Sequence, residues 1–564
     1  MRLGTTGTVR AHTGYDAGWK YGTSAMISSH KDKINWTLGA GYSQFSSEQS
    51  LDITRAVDDQ IYNQVSVSPY DPATSRLNAG IDYQLHGNHS IGISGRRSQT
   101  QSDRITYNGT EVRSGNSTES LDTESSFDRS QTVLNLNPYY LFENEQTRLN
   151  LDFNYVDYDN DNTNLLYQTG TSPISFEDRR YLQNSDYEIM IYKADFRHSF
   201  EDFTFSTGAR FSTVESASDL RSFEKNPENE FIYLPGQSDL YLVDETILAL
   251  YAKVTAKLNK WDFSAGLRWE ESKTDGTSKS TGQTNSRDIS RLFPSASLNR
   301  SITDQLGASV SYSYRISRPS YSSLNSFVYY YDPYTAEKGN PNLQPSFTHN
   351  LQFNLMYQEQ PFFSIGYSDT EDALFEILSQ NDQTAQASRS TINLNNYRNW
   401  NFRLFAPLNF LPEMSGYSGI IMNHAAYESE NLMPALDLSK WSLTWFTSIE
   451  YELPWDIRSE LSGFYLNGGL QGQIEHDWIA GLGFSLSREF LDEKLRVNFS
   501  LQDILTRKFY GYVFYDNVDA QIISDWSRYN VSVELVYNFG SHFGKKRSRN
   551  NTSIEEQNRI DSNN

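Results

Sequence analysis

The sequence predicts an all-β protein: a transmembrane, antiparallel, up-and-down β-barrel of about 22 strands. Three observations carry that expectation. Segments of alternating apolar and polar residues recur along nearly the whole chain. The connectors between them are by turns short and long. The composition is rich in aromatics yet poor in apolar residues overall. The stretch "RLNLDFNYVDY" (148–158) shows the alternation: Leu149, Leu151, Phe153 and Tyr155 share one face, Arg148, Asn150, Asp152 and Asn154 the other. Successive strand residues point to opposite sides, so the strand has one greasy face and one wet face.

Composition narrows the choice. Apolar residues make up 37% of the 564 residues and mean hydropathy is −0.63, poor material for a solid core of this length. Aromatics nevertheless reach 14%, whereas disordered chains are depleted in them. With 70 acidic against 48 basic residues the net charge is −22, which argues against a nucleic-acid partner. There is no cysteine, hence neither a disulfide nor a thiolate metal site. No apolar run approaches the roughly 18 residues of a membrane-crossing helix. The start, "MRLGTTGTVRAHTG", lacks the apolar region of a signal peptide.

The connectors sort into two classes. "HGNH" (86–89), "ENEQ" (143–146), "SFED" (199–202), "SITDQ" (301–305) and "LDEK" (491–494) are short and polar. The others are mostly longer and rich in Asp, Asn, Ser and Thr, at about 46–71, 102–128, 159–185, 215–243, 273–288, 317–345 and 504–524. Short periplasmic turns and long extracellular loops are how outer-membrane barrels are built. A soluble sandwich has no reason to sort its loops in this way.

The strands fit the same scheme. In "QLGASVSYSYRIS" (305–317), Leu306, Ala308, Val310, Tyr312, Tyr314 and Ile316 line one face. In "KLRVNFSLQDI" (494–504), Leu495, Val497, Phe499 and Leu501 do so, and in "YNVSVELVYNFG" (529–540), Val531, Val533, Leu535, Tyr537 and Phe539. In lipid every backbone donor and acceptor must be paired internally, so a sheet spans only if it closes on itself. The apolar faces then meet the lipid bilayer and the polar faces a watery interior, with no apolar core required. Tyr139, Tyr140, Trp261, Trp269 and Trp455, near strand ends, suit interfacial girdles. Residues 1–540 are read as the barrel, and 541–564, polar and without apolar period, as a flexible periplasmic tail.

The stretch 315–357, "RISRPSYSSLNSFVYYYDPYTAEKGNPNLQPSFTHNLQFNLMY", is the most distinctive in the chain. With Ser317, Arg318, Pro319, Tyr321, Leu324, Asn325 and Phe327, then Gly339, Asn340, Pro341, Leu343 and Pro345, it resembles TonB-dependent outer-membrane receptors. The likeness is to their Bacteroidetes-type β-barrel family in particular, whose pattern favours Pro where Ser326 stands. "FPSASLNRSI" (293–302) and "LQDILTRKF" (501–509) are similar to further family segments, and the resemblance spans 1–540. It implies loops that capture a scarce nutrient and a plug domain that TonB displaces, with a surface lipoprotein as a further partner. Strand-like sequence begins by about Gly4, so the plug is expected upstream in a longer chain or as a separate polypeptide. Physically, Gly339-Asn340-Pro341 is turn chemistry and Pro345 ends the loop stiffly, which makes Arg318, Pro319 and these residues structural.

Chemistry-bearing candidates are few. In "DYDNDN" (157–162), Asp157, Asp159 and Asp161 have calcium-loop spacing. Asn162 stands where Gly is needed and Gln168 where the bidentate Glu belongs, so no metal is assigned and a solvated acidic loop is the reading. Tyr329, Tyr330, Tyr331 and Tyr334, in an expected extracellular loop, could stack against a sugar or siderophore, or simply pack the loop. The nine histidines show no ligand spacing, and no catalytic constellation or cofactor is indicated. The expectation is therefore a non-enzymatic receptor for energy-coupled uptake of a siderophore, cobalamin, glycan or peptide. A passive porin or surface-exposed barrel without TonB coupling is the alternative.

Overall fold

A computed structural model of the protein describes residues 4–170, 177–505, 508–526, 530–540 and 555–560. Twenty-two strands form a closed antiparallel barrel. The ring closes where Gly4–Tyr15 pairs with both Trp19–Lys31 and the last strand, Asn530–Gly540. Thr6 lies opposite Gly540 and Tyr15 opposite Val531, so the barrel wall closes on itself. Both terminal strands meet at the end carrying the short turns.

The greasy and wet faces fall as the alternation requires. Phe153, Tyr192, Phe211 and Leu248 stand opposite one another across four neighbouring strands and face outward. Tyr192 and Phe211 are exposed, as are Val310 and Leu535 elsewhere in the wall, which in water would be unfavourable and in lipid is the point. Asn354 donates to Ser309 Oγ at 2.9 Å on the inner face.

Three expectations need correction. Much of the sequence expected as long loops is strand. His89–Ser114 and Ser117–Glu143 run for 26 and 27 residues and turn at Gly115 with φ +58°. Past the lipid the outer face of this hairpin meets water while Asn108, Thr110, Thr123 and Ser125 are buried on its inner face, so backbone pairing persists where the apolar alternation that reveals it fades. The aromatic pair Tyr139 and Tyr140 is split between faces. Tyr139 donates to Asp82 Oδ1 at 2.6 Å inside, whereas Tyr140, Trp261, Trp269 and Trp455 remain consistent with the outer girdles.

The third correction concerns the interior. Val156, Tyr158, Tyr181, Tyr187, Ile189 and Val243 belong to a buried cluster on the inner face, joined by Tyr321 and Phe327 from the connector after Leu306–Ser317. The outer half of the barrel is therefore packed rather than simply watery. At the rim, Ser47–Val57 pairs with Val518–Trp526, which pairs with Phe509–Tyr515, a small sheet built beside the shorter wall strands.

Candidate functional site

The connector Arg318–Pro345 folds back into the barrel mouth. Its first turn, Ser322–Leu324, is a 3-10 helix held by Ser320, whose Oγ accepts from Ser323 N at 3.1 Å. Asn325 Oδ1 then accepts from Phe327 N at 2.9 Å. Gly339 N donates to Phe327 O at 3.0 Å and Asn340 N to Ser323 O at 2.7 Å, which closes the loop on itself. Arg287 donates to Pro341 O, and Asn340 Nδ2 to Thr391 O at 3.0 Å. Gly339, Asn340 and Pro341 thus take part in hydrogen bonds within the loop or from it to the wall, and Arg318, Pro319 and Pro345 are buried.

The tyrosines go inward. Tyr334 is fully enclosed and packs edge-on against Tyr62 of the wall, ring centroids 5.1 Å apart. Tyr329 lies against Tyr181 at 5.2 Å, and the Arg179 guanidinium sits over Tyr330 at 5.1 Å. Tyr331 alone of the four keeps a substantially exposed ring, with its hydroxyl donating to Glu337 at 2.7 Å. Asp332, between them, accepts from Tyr334 N at 2.7 Å and from Asn108 Nδ2 at 2.9 Å. Burial pushes its carboxyl up to about 6.

Asp157, Asp159 and Asp161 lie on the strand Thr147–Gly170, not in a loop. Alternate residues of a strand share a face but stand about 7 Å apart, so the three carboxylates do not converge as a calcium loop requires. Asp157 and Asp159 instead oppose Glu188 and Asp186 of the next strand.

A charged cluster that the sequence reading did not single out lies on the inner wall. Glu245 and Glu270 are almost completely buried. Glu245 accepts from Thr274 Oγ1 and from the Tyr321 hydroxyl, both at 2.8 Å. Glu270 sits between two guanidiniums, Arg268, whose Nε is 2.8 Å away, and Arg318. The family-motif arginine is thus the bolt between the mouth loop and the wall. Glu245 and Glu270 fall in the inward phase of their strands, and that was the available signal: acids at positions that face the lumen.

Residues Glu555–Ile560, expected to belong to a free periplasmic tail, form a short helix docked on this cluster. Glu555 accepts from Arg318 Nη1 at 2.8 Å and Glu556 pairs with Arg210. Arg559 Nη1 reaches Glu245 at 2.5 Å and its Nε donates to Pro319 O at 2.9 Å. Residues 541–554 and 561–564 of the tail lie outside the described residues. What was missed is that two acids followed by Arg559 and Ile560 complement a buried wall, an anchor that leaves no apolar period to read.

The copper transporter OprC has a similar structure (TM-score 0.64, 10% identity, 95% of this chain and 80% of that one). So do the FrpB iron transporter from Neisseria meningitidis (0.62, 12%, 94% and 81%) and the ferric yersiniabactin uptake receptor FyuA from Yersinia pestis (0.61, 11%, 94% and 80%). At such identities the likeness is one of fold. No curated protein matches the chain. The model of the outer membrane protein beta-barrel family matches residues 140–537, most of the chain, and to that family of outer-membrane barrels this protein belongs.

Proposed function

We propose that the barrel is the membrane-spanning part of a TonB-dependent receptor that takes up a scarce nutrient with energy coupling. The observation that carries the reading is the closed wall of 22 strands with a buried, charged inner cluster. Barrels of about this strand number have a lumen too wide to leave open and hold a plug. The cluster at Arg210, Glu245, Glu270 and Arg318 offers such an element both signs of charge in a low-dielectric setting. The similar structures are described as a copper transporter, an iron transporter and a ferric yersiniabactin uptake receptor, which favours a metal complex as cargo over a glycan or peptide. The partners are a plug, encoded upstream or separately, TonB acting through it, and a surface lipoprotein that would shield the mouth. Exposed Tyr331 is the one ring of the tyrosine run free to touch cargo.

The test is uptake. Cells lacking the protein should lose growth on one limiting ferric-siderophore or metal source, and uptake by intact cells should stop when the proton gradient is collapsed. Uptake that survives the uncoupler, with steady conductance of the native protein in a planar bilayer, would replace this reading with a passive porin.

A further inference from the structure

The helix Glu555–Ile560 is held by more than its length explains. Of its six residues, Glu556, Arg559 and Ile560 are buried. Glu556 pairs with Arg210, Glu555 with Arg318 at 2.8 Å and with Arg210 at 3.8 Å, and Arg559 with Glu245. The Arg559 guanidinium lies 4.0 Å from the Tyr321 ring centre, and Tyr321 N donates to Arg559 O at 3.3 Å. Ile560 enters the inner tyrosine cluster.

The wall is charge-incomplete without it. Among the described residues, Arg210 has its carboxylates only on this helix, and Glu245 would keep only the Thr274 and Tyr321 hydroxyls as donors. A buried carboxylate or guanidinium stripped of its counter-ion is costly, so the surface calls for an occupant of this charge pattern. The last wall strand ends at Gly540, at the short-turn end. A chain as long as residues 541–554 reaches at most about 50 Å when extended.

We propose that Glu555–Ile560 is a tethered latch: the chain's own ligand for the luminal cluster, joining the mouth loop to the wall and narrowing the passage. Any other polypeptide that docks on Arg210, Glu245 and Arg318 must first displace it. The latch does not depend on energy coupling and would operate in a passive barrel as well.

The absence of cysteine makes a direct test clean. A double variant, Arg210→Cys with Glu556→Cys, should be joined by a short bismaleimide reagent in isolated outer membranes, because two long side chains that meet at their tips leave their backbones too far apart for a direct disulfide. A control pair, Asn538→Cys with Glu556→Cys, should not. In planar bilayers, removal of residues 541–564 should raise conductance several-fold, and Arg559→Glu should do the same. Combining Arg559→Glu with Glu245→Arg should restore the low value. Heat-modified mobility on gels reports that each barrel has folded. A folded double variant that cross-links no better than the control, or a truncated barrel with unchanged conductance, overturns the latch.

Discussion

Asp332 and Asn108, 224 positions apart in sequence, are joined by a 2.9 Å hydrogen bond that ties the mouth loop to the barrel wall. The bond puts an acid in a place where its charge is expensive, and the loop inherits that sensitivity.

The first consequence is a pH dependence. Burial raises the Asp332 carboxyl from 3.8 to about 6. Between those values the docked loop holds a proton that the undocked loop has lost, so docking weakens as pH rises through the window. The stability present below about pH 4 and lost above about pH 6 is on the order of 3 kcal/mol. Hydrogen exchange at Tyr329–Ala336, corrected for intrinsic rate, should be slower at pH 5 than at pH 7.5. Asp332→Asn should abolish the difference, and a dependence that persists in that variant would show another group to be responsible.

A second consequence follows from the turn. A Cβ built on Gly339 would collide with the side-chain and backbone oxygens of Asn325. Gly339→Ala should therefore cost about 1–3 kcal/mol of loop stability. Chymotrypsin should then cut within Tyr329–Tyr334 while the wall keeps its heat-resistant gel mobility. Equal cleavage of variant and parent would mean that the loop shifts to accommodate the methyl group.

Removing one carboxylate of the inner cluster should matter more. Glu270→Gln leaves Arg318 facing a neutral amide in a buried setting, a loss of roughly 3–5 kcal/mol. Urea unfolding in lipid vesicles, alongside proteolysis of Arg318–Pro345, would register it. A change of less than about 1 kcal/mol would place the cluster in the weak class of solvated ion pairs.

The outer face makes its own demand. Phe211 stands between Tyr192 and Leu248 in the lipid-facing row. Phe211→Lys should destabilise the barrel by about 2–4 kcal/mol, whereas Asn150→Lys on the luminal face should change it little. Similar losses at both sites would contradict the assigned inside and outside.

How legible this was depended on what each residue meets. Where one face touches lipid and the other water, as at Leu149–Tyr155 or Leu306–Ile316, alternation marked both the strand and its orientation. Where the outer face meets water and the buried inner face is largely polar, as at Asn108, Thr110, Thr123 and Ser125, the strand continues but the apolar pattern does not. Where both faces are covered, as at Ile189, Met190, Ile191 and Tyr192, a run of apolar residues signalled the inner packing that the reading of a purely polar lumen passed over. The loop motif was recognisable, and turn chemistry pointed to Gly339 and Asn340, whose backbone N–H groups donate to Phe327 O and Ser323 O. The inward course of Tyr334 was not, because burial of a loop depends on groups such as Tyr62 and Asn108 far away in sequence. Glu245 looked like any other strand acid until its partners were known.

The wall is uneven in height. Strands from Gln60 to Gly170 run for 24 to 27 residues, whereas the wall strands Ile457–Leu466, Ile479–Phe490, Leu495–Gln502 and Asn530–Gly540 run for 8 to 12. At about 3.4 Å per residue and a tilt near 40°, the tall flank rises some 65–70 Å, of which lipid covers only about 25 Å. Beside the short strands the rim is carried up instead by the small sheet of Ser47–Val57, Val518–Trp526 and Phe509–Tyr515, which joins the tall strand Gln60–Gln84. The collar of the opening is thus completed by segments from opposite ends of the chain, with Ala56 beside Asp519, so a cut in either connector would lower that flank without touching the wall in the bilayer.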